Sequence, residues 1–369
     1  MAWVERYVRA DADGAGDGTT DANSGATGSW TWAQFLTTAA PASAHRVNMK
    51  AGTYTLGNTN DIPANAGTAA LPGFLRGYNT TIGDIDTDNT LTKPVLSWGT
   101  GRIIPPNYWI FQNLDMSGAN TAATFDPGAS VGIQVDRCRV ANSSTGFAID
   151  TSAGGMLTVT RSWLNNTSTG GVVRSRAPVR LIGCTLKGGT DGLTIATTAA
   201  VPVAAIDCAF KGQSGDGIRV TVAGELRIVN CSFSTPGSDG IEMTVACDGV
   251  IANCIFNSAG GWGINNSSGA NVGGRVHRVG NVYFGNTSGK ETGFGDAPSV
   301  AEVTDSAASF VSSTDLTLAS TSGARSAAIP GVFENETYTT YGDRGAVRHI
   351  DPSGSGGGGA FSHRFPGGR

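Results

Sequence analysis

Asn230-Cys231-Ser232-Phe233-Ser234 returns one turn of the chain later as Asn253-Cys254-Ile255-Phe256-Asn257. This pair of stretches decides the fold, because residue types recur in the same order at a long, nearly constant interval. Working outward, the anchor position holds Leu114, Cys138, Ser162, Cys184, Cys208, Cys231 and Cys254, at intervals of 24, 24, 22, 24, 23 and 23 residues. The residue before each anchor is Asn113, Arg137, Arg161, Gly183, Asp207, Asn230 or Asn253. Five of these seven are of types that tolerate a left-handed backbone, as a sharp bend between strands requires. Two residues past each anchor stand Met116, Val140, Leu164, Leu186, Phe210, Phe233 and Phe256. Anchor and anchor-plus-two therefore share a face, the period-2 signature of a strand. In a second column Gly192, Gly217, Gly240 and Gly263 precede Leu193, Ile218, Ile241 and Ile264, and Asp191, Asp216 and Asp239 stand directly before the first three glycines.

A coil of two or three short strands with glycine or asparagine bends, repeated at this interval, is a rung of an all-β, single-stranded right-handed parallel β-helix. The expectation is a solenoid of about 8–10 rungs. Like residues on successive rungs would pile into interior ladders about 4.8 Å apart, a cysteine ladder beside a phenylalanine stack. Five of the six cysteines occupy the inward anchor, Cys247 being the exception. Their spacing matches no zinc signature, and they read as small buried hydrophobes with free thiols.

The boundaries expected are residues 1–46 for an N-terminal capping segment, 47–290 for the β-helix, 291–350 for a closing segment and 351–369 for a glycine-rich tail. Trp32, Phe35, Leu36 and Ala39 lie at helical spacing, which predicts a short amphipathic helix covering the open first rung. Val47 to Thr55 reads as the first rung strand with its turn, and the repeat loosens after Phe284. The tail carries Phe361, Arg364 and Phe365; it reads either as a bland tail or as a peptide docking into a neighbouring subunit.

Composition bounds the function. The chain has 54 glycines, 15% charged and 39% hydrophobic residues, a β-rich, turn-rich make-up. A net charge of −4 with no basic block argues against nucleic acid as a partner. No apolar stretch reaches about 18 residues, so no membrane span is expected. The opening Met1-Ala2-Trp3-Val4-Glu5-Arg6 has no apolar core of a Sec-type leader. The expectation is a chain made in the cytoplasm and released by lysis, or one exported by another route.

The opening carries Tyr7-Val8, a Gly/Asp-rich loop, Trp32-Ala33-Gln34-Phe35 and Ala51-Gly52-Thr53-Tyr54. The later part carries Phe310-Val311, Asp315-Leu316-Thr317-Leu318, Ala327-Ala328-Ile329-Pro330-Gly331 and Asp343-Arg344-Gly345-Ala346-Val347. These motifs are similar to those of pectate-lyase-like parallel β-helix proteins. The resemblance spans roughly residues 5–350 and implies the fold; the superfamily holds lyases, hydrolases, epimerases, phage tail spikes and virion parts. Phage members of this type assemble as trimers, so the resemblance also implies a homotrimer.

Candidate chemistry lies in four places. Asp191, Asp216 and Asp239 on successive rungs would bring carboxylates within about 5–7 Å, a separation that suits a glycosidase pair or Ca²⁺; the alternative is turn chemistry, in which each Asp bonds its own turn amides. A lytic pair needs unequal environments, and these three look alike in sequence. An outward column of Thr194, Arg219, Glu242 and Asn265 offers a stripe for sugar contacts, with Arg219 and Glu242 paired across rungs, or a solvated face. Trp163 and Trp262 are candidate sugar platforms, or pack against loops. Asp11, Asp13, Asp17 and Asp21 form an oxygen-rich loop that resembles a calcium loop but lacks the distal Glu of an EF-hand. No motif demands a cofactor, and Ca²⁺ is the one ion these acids admit. Arg174, Arg176 and Arg180 form the nearest basic cluster to a lyase base, with no matching acids beside them in sequence, and none of His45, His277, His349 and His363 neighbours an Asp-rich rung.

The first functional expectation is thus a structural or adhesive protein of a phage-like virion, glycan-binding on its outer face, with other virion proteins and a surface polysaccharide as partners. The alternatives are a polysaccharide lyase or glycoside hydrolase, and an exported cell-surface binding protein.

Overall fold

The computed structural model describes residues 3–37, 45–56, 67–84, 92–152, 155–196, 201–268, 275–295, 299–305, 310, 316 and 318–324. Among them the chain winds into three parallel sheets of 11, 11 and 8 strands, each inner strand paired with its equivalents one coil before and one coil after. Parallel crossovers are right-handed, and the coil is a right-handed β-helix. One rung runs from Glu225–Val229 in the first sheet, through Ser232–Ser234 in the second, to Ile241–Met243 in the third.

The bend between the first and second sheets turns on one left-handed residue, and the sequence places it correctly. Asn113, Arg137, Arg161, Gly183, Asp207, Asn230 and Asn253 all have φ between 48° and 62°. Arg137 and Arg161 adopt this disfavoured conformation with both side chains held by Asp136, at 3.1 and 2.6 Å. The series continues past the point where the sequence pattern fades: Gly280 has φ 67°, Asn281 fills the next anchor, and the coil goes on to Val303–Thr304, with Val282 paired to Val303.

Inside, the ladders form as read. Cys138, Cys184, Cys208, Cys231 and Cys254 are buried and free, and burial pushes the Cys138 thiol up to about 12. At the serine of the column the polar side chain is satisfied: Ser162 Oγ accepts from the Cys138 amide at 3.1 Å and donates to the Thr160 carbonyl at 2.8 Å. The rings of Phe210, Phe233, Phe256 and Tyr283 stack at 4.7, 4.8 and 5.2 Å, within 10° of parallel.

That stack explains the glycine column, which is not a column of bends. None of Gly192, Gly217, Gly240 and Gly263 has a left-handed φ. A Cβ at these four positions would lie 2.7, 2.5, 2.4 and 2.5 Å from a ring carbon of Phe210, Phe233, Phe256 and Tyr283 respectively. The backbone must come this close for the rings to lie flat on it.

The N-terminal segment is partly woven into the coil. Val4–Val8 pairs with His45–Lys50 as the outermost strand of the first sheet, and Thr53–Leu56 opens the second. The helix runs Trp32–Thr37 and starts on a reciprocal cap: the Gln34 amide donates to Thr31 Oγ1 at 3.1 Å, and the Thr31 amide to Gln34 Oε1 at 2.8 Å. Phe35 is fully buried, and Trp32 packs against Phe35 and Tyr54. At the other end Phe310, Leu316, Leu318 and Ala324 cover Ala209, Ile255 and Val282, outward-facing apolar residues of the second sheet. No helix among the described residues is long and apolar enough to cross a membrane.

Candidate functional site on the third sheet

Register turns single residues into a stripe. Asp150, Arg174, Thr194, Arg219, Glu242, Asn265 and Thr292 are successive partners across the third sheet. Phe125 pairs with Ile149, so Asp126 extends the stripe by one rung. Outward positions on a strand alternate with the buried ones, and here the buried ones are Ile149, Val173, Leu193, Ile218, Ile241 and Ile264.

Beside the stripe runs the aspartate ladder, and its bonding differs from turn chemistry. Asp191 Oδ1 accepts the main-chain amide of Asp216 at 3.1 Å, Asp216 Oδ1 that of Asp239 at 2.9 Å, and Asp239 Oδ1 that of Trp262 at 2.6 Å. Each carboxylate therefore reaches one rung on instead of capping its own bend. Gly215 and Gly261 make room: a Cβ there would lie 2.7 Å from Asp191 Oδ1 and 2.2 Å from Asp239 Oδ1.

The three acids look alike in sequence but not in surroundings. The second oxygen of Asp191 takes the Thr194 hydroxyl at 3.2 Å, and that of Asp239 takes Asn265 Nδ2 at 2.8 Å. Asp216, between them, has one amide donor and an acid on either side. Burial pushes its carboxyl up from 3.8 to about 7, the charges of Asp191, Glu242 and Asp239 push the same way, and the bond from the Asp239 amide opposes them. The middle acid of the ladder thus exchanges its proton near neutrality. Arg219 and Glu242 do pair across rungs, at 3.4 Å, with Arg219 nearly half exposed. Trp262 is half-buried, and its ring lies against Gly289.

Further down the same stripe is a cluster that a reading along the chain misses. Asp150, 3% exposed, accepts from both Arg174 and Arg176, the latter at 2.7 Å. The Arg174 guanidinium lies 4.4 Å over the Phe147 ring. Asp126 takes Arg102 at 2.8 Å and Ser152 Oγ at 3.1 Å. The acid absent beside the arginines in sequence stands one rung earlier, 24 residues before Arg174. Arg180 belongs to the first sheet and is not part of this cluster.

The remaining candidates lie elsewhere. Trp163 is on the second sheet, 38% exposed. In the N-terminal loop Asp11 and Asp21 hold Arg9, Asp13 accepts the Ala15 amide, and Asp17 accepts the amide and hydroxyl of Thr19. No group of three or more His, Cys, Asp or Glu arranged to hold a metal occurs among the described residues. Phe361, Arg364 and Phe365 lie outside the described residues.

Comparison with known proteins agrees with this architecture. Residues 172–295 match the family model described as the right handed beta helix region. The fold is similar to the crystal structure of pectate lyase Pel9A, with a TM-score of 0.62 and 15% sequence identity, over 95% of this chain and 97% of that one. At that identity the likeness is one of fold. No curated protein matches this sequence.

Proposed function

We propose that this protein acts on a polysaccharide laid across the outer face of the third sheet, with Asp216 as the acid–base group. The observation that carries the reading is the split in the ladder: three carboxylates on consecutive rungs, of which the middle one is held near neutrality. Neighbouring rungs stand about 4.8 Å apart, close to the about 5–5.5 Å between the carboxyl groups of a retaining glycosidase. A group that titrates near the working pH serves a general acid or a general base equally well. Arg219, nearly half exposed and held to Glu242 by a single contact of 3.4 Å, supplies positive charge for a uronate carboxylate. The similarity to a pectate lyase fold makes uronate-containing polymers the first substrates to try. Calcium, if used, would need oxygens beyond these side chains, from main chain, water or substrate, since the described acids alone form no metal cluster.

Turnover on a panel of uronate-rich polymers tests the reading. Elimination gives an unsaturated, ultraviolet-absorbing end, and hydrolysis a reducing end. Activity should fall by about 10²–10⁴-fold in Asp216→Asn, the range a positioned acid–base group contributes. No turnover by the intact protein on any such polymer would refute it.

A structural role in a phage-like virion, as a homotrimer with other virion proteins, is the second reading. Its specific support is that Asp191, Asp216 and Asp239 each accept an amide of the next rung, so the rigidity of the coil alone accounts for them. Presence of the chain in purified particles, with a trimer mass in solution, would favour it over the first.

A further inference from the structure

We propose a second carbohydrate site, for a short acidic oligosaccharide, on the outer face of the second sheet. A groove of about 250 Å³ opens there, lined by Ser97, Trp98, Ser117, Arg139 and Asn165 among others. These residues come from four consecutive rungs, since Ser97 pairs with Ser117 and Arg139 with both Asp115 and Trp163. Trp163 stands beside the groove on the same strand as Asn165, one of only six large apolar side chains exposed among the described residues. An exposed indole flanked by amide, hydroxyl and guanidinium groups is a platform for a pyranose ring, with its apolar face on the aromatic and its hydroxyls at the rim. The about 4.8 Å rung spacing repeats those donors along the direction in which a sugar chain would run.

One further observation chooses the occupant. The charge on this face departs from that of the chain as a whole. The outward positions of Arg139–Asn142, Trp163–Asn166, Thr185–Gly188 and Ala209–Lys211 carry Arg139, Lys187 and Lys211 and no acid. Asp115, on the neighbouring rung, is bound to Arg139 at 2.8 Å, so that pair carries no net charge and exposed Lys187 supplies positive charge one rung from Trp163. A net-negative protein that gathers cations around an exposed tryptophan offers complementarity to a carboxylate-bearing sugar. The proposal stands apart from the third-sheet reading, because the two faces share no residue.

Calorimetric titration of the full chain with tetragalacturonate, and with maltotetraose as a neutral control of equal length, tests it. Tetragalacturonate should bind, Trp163→Ala and Lys187→Ala should each weaken it by about tenfold or more, and maltotetraose should bind more weakly. The variants at Trp163 and Lys187 separate this face from the third sheet, because both residues lie on strands of the second sheet. Absence of binding to the intact protein, equal binding of the neutral tetramer, or affinity unchanged in both Trp163→Ala and Lys187→Ala would overturn the proposal. Both variants are at exposed positions, so retained thermal midpoints separate a lost site from a lost fold.

Discussion

The phenylalanine stack and the aspartate ladder run through the same rungs, and repetition has opposite consequences in each. Phe210, Phe233, Phe256 and Tyr283 gain from being alike, since parallel rings in a closed interior fill space with no polar atom to satisfy until Tyr283. Asp191, Asp216 and Asp239 lose from being alike, since like charges on neighbouring rungs repel. All three accept a main-chain amide, but only the outer two also take a side-chain donor, from Thr194 and Asn265, and the middle one rises toward neutrality. A repeated residue in a solenoid is therefore a packing statement when it is apolar and an electrostatic one when it is ionisable.

The contrast is broken most severely from the apolar side. Phe233→Ala should cost about 3–5 kcal/mol of stability, because the ring is flanked by two others and cannot be replaced by collapse from either side. Chemical denaturation measures this, and a loss below about 1 kcal/mol would mean that the stack is not a unit. Gly240→Ala attacks the same stack from the backbone: a Cβ 2.4 Å from the Phe256 ring and 2.4 Å from the Gly263 carbonyl oxygen has nowhere to go. The expected cost is about 1–3 kcal/mol or more.

The ladder answers to pH instead. The folded-state pKa of Asp216 is raised, from 3.8 to about 7. Its contribution to stability is accordingly complete below about pH 4 and is lost as pH rises through 7, at no more than about 1.4 kcal/mol per pH unit. Glu291 acts in the same sense, raised by burial from 4.5 to about 7. Unfolding free energies measured across that window should fall with rising pH, and Asp216→Asn should flatten the slope. The smallest effect is expected on the stripe. Arg219→Ala should change stability by about 0–1 kcal/mol, since its partner is across a solvent-exposed pair, while a contribution to substrate binding would register as a weaker affinity for uronate polymers.

The interior was legible in the sequence because every rung gives an inward anchor the same environment. The bends were legible because few residue types tolerate φ near 50°. What stayed hidden is whatever bonds across rungs or outside the repeat. Asp150 meets Arg174 and Arg176 at a distance of one rung in sequence, which a search among near neighbours passes over. The four glycines suggested bends when their purpose was the ring beneath them. Arg278, Tyr283 and Glu291 form a buried network at separations of 13 and 8 residues that match no period, so no pattern announces it. Ala209, Ile255 and Val282 did carry a signal, being apolar at outward positions, but apolarity alone does not say that residues 310–324 lie over them.

Everything assigned to the third sheet depends on Asp216 differing from its two neighbours. Carbon-13 detection of the aspartate carboxyl groups through a pH titration, with Asp216→Asn to assign the resonance, observes that difference site by site. The Asp216 carboxyl should titrate with a midpoint near 7. A midpoint in the ordinary aspartate range, around 4, would remove the acid–base group and the proposed chemistry with it.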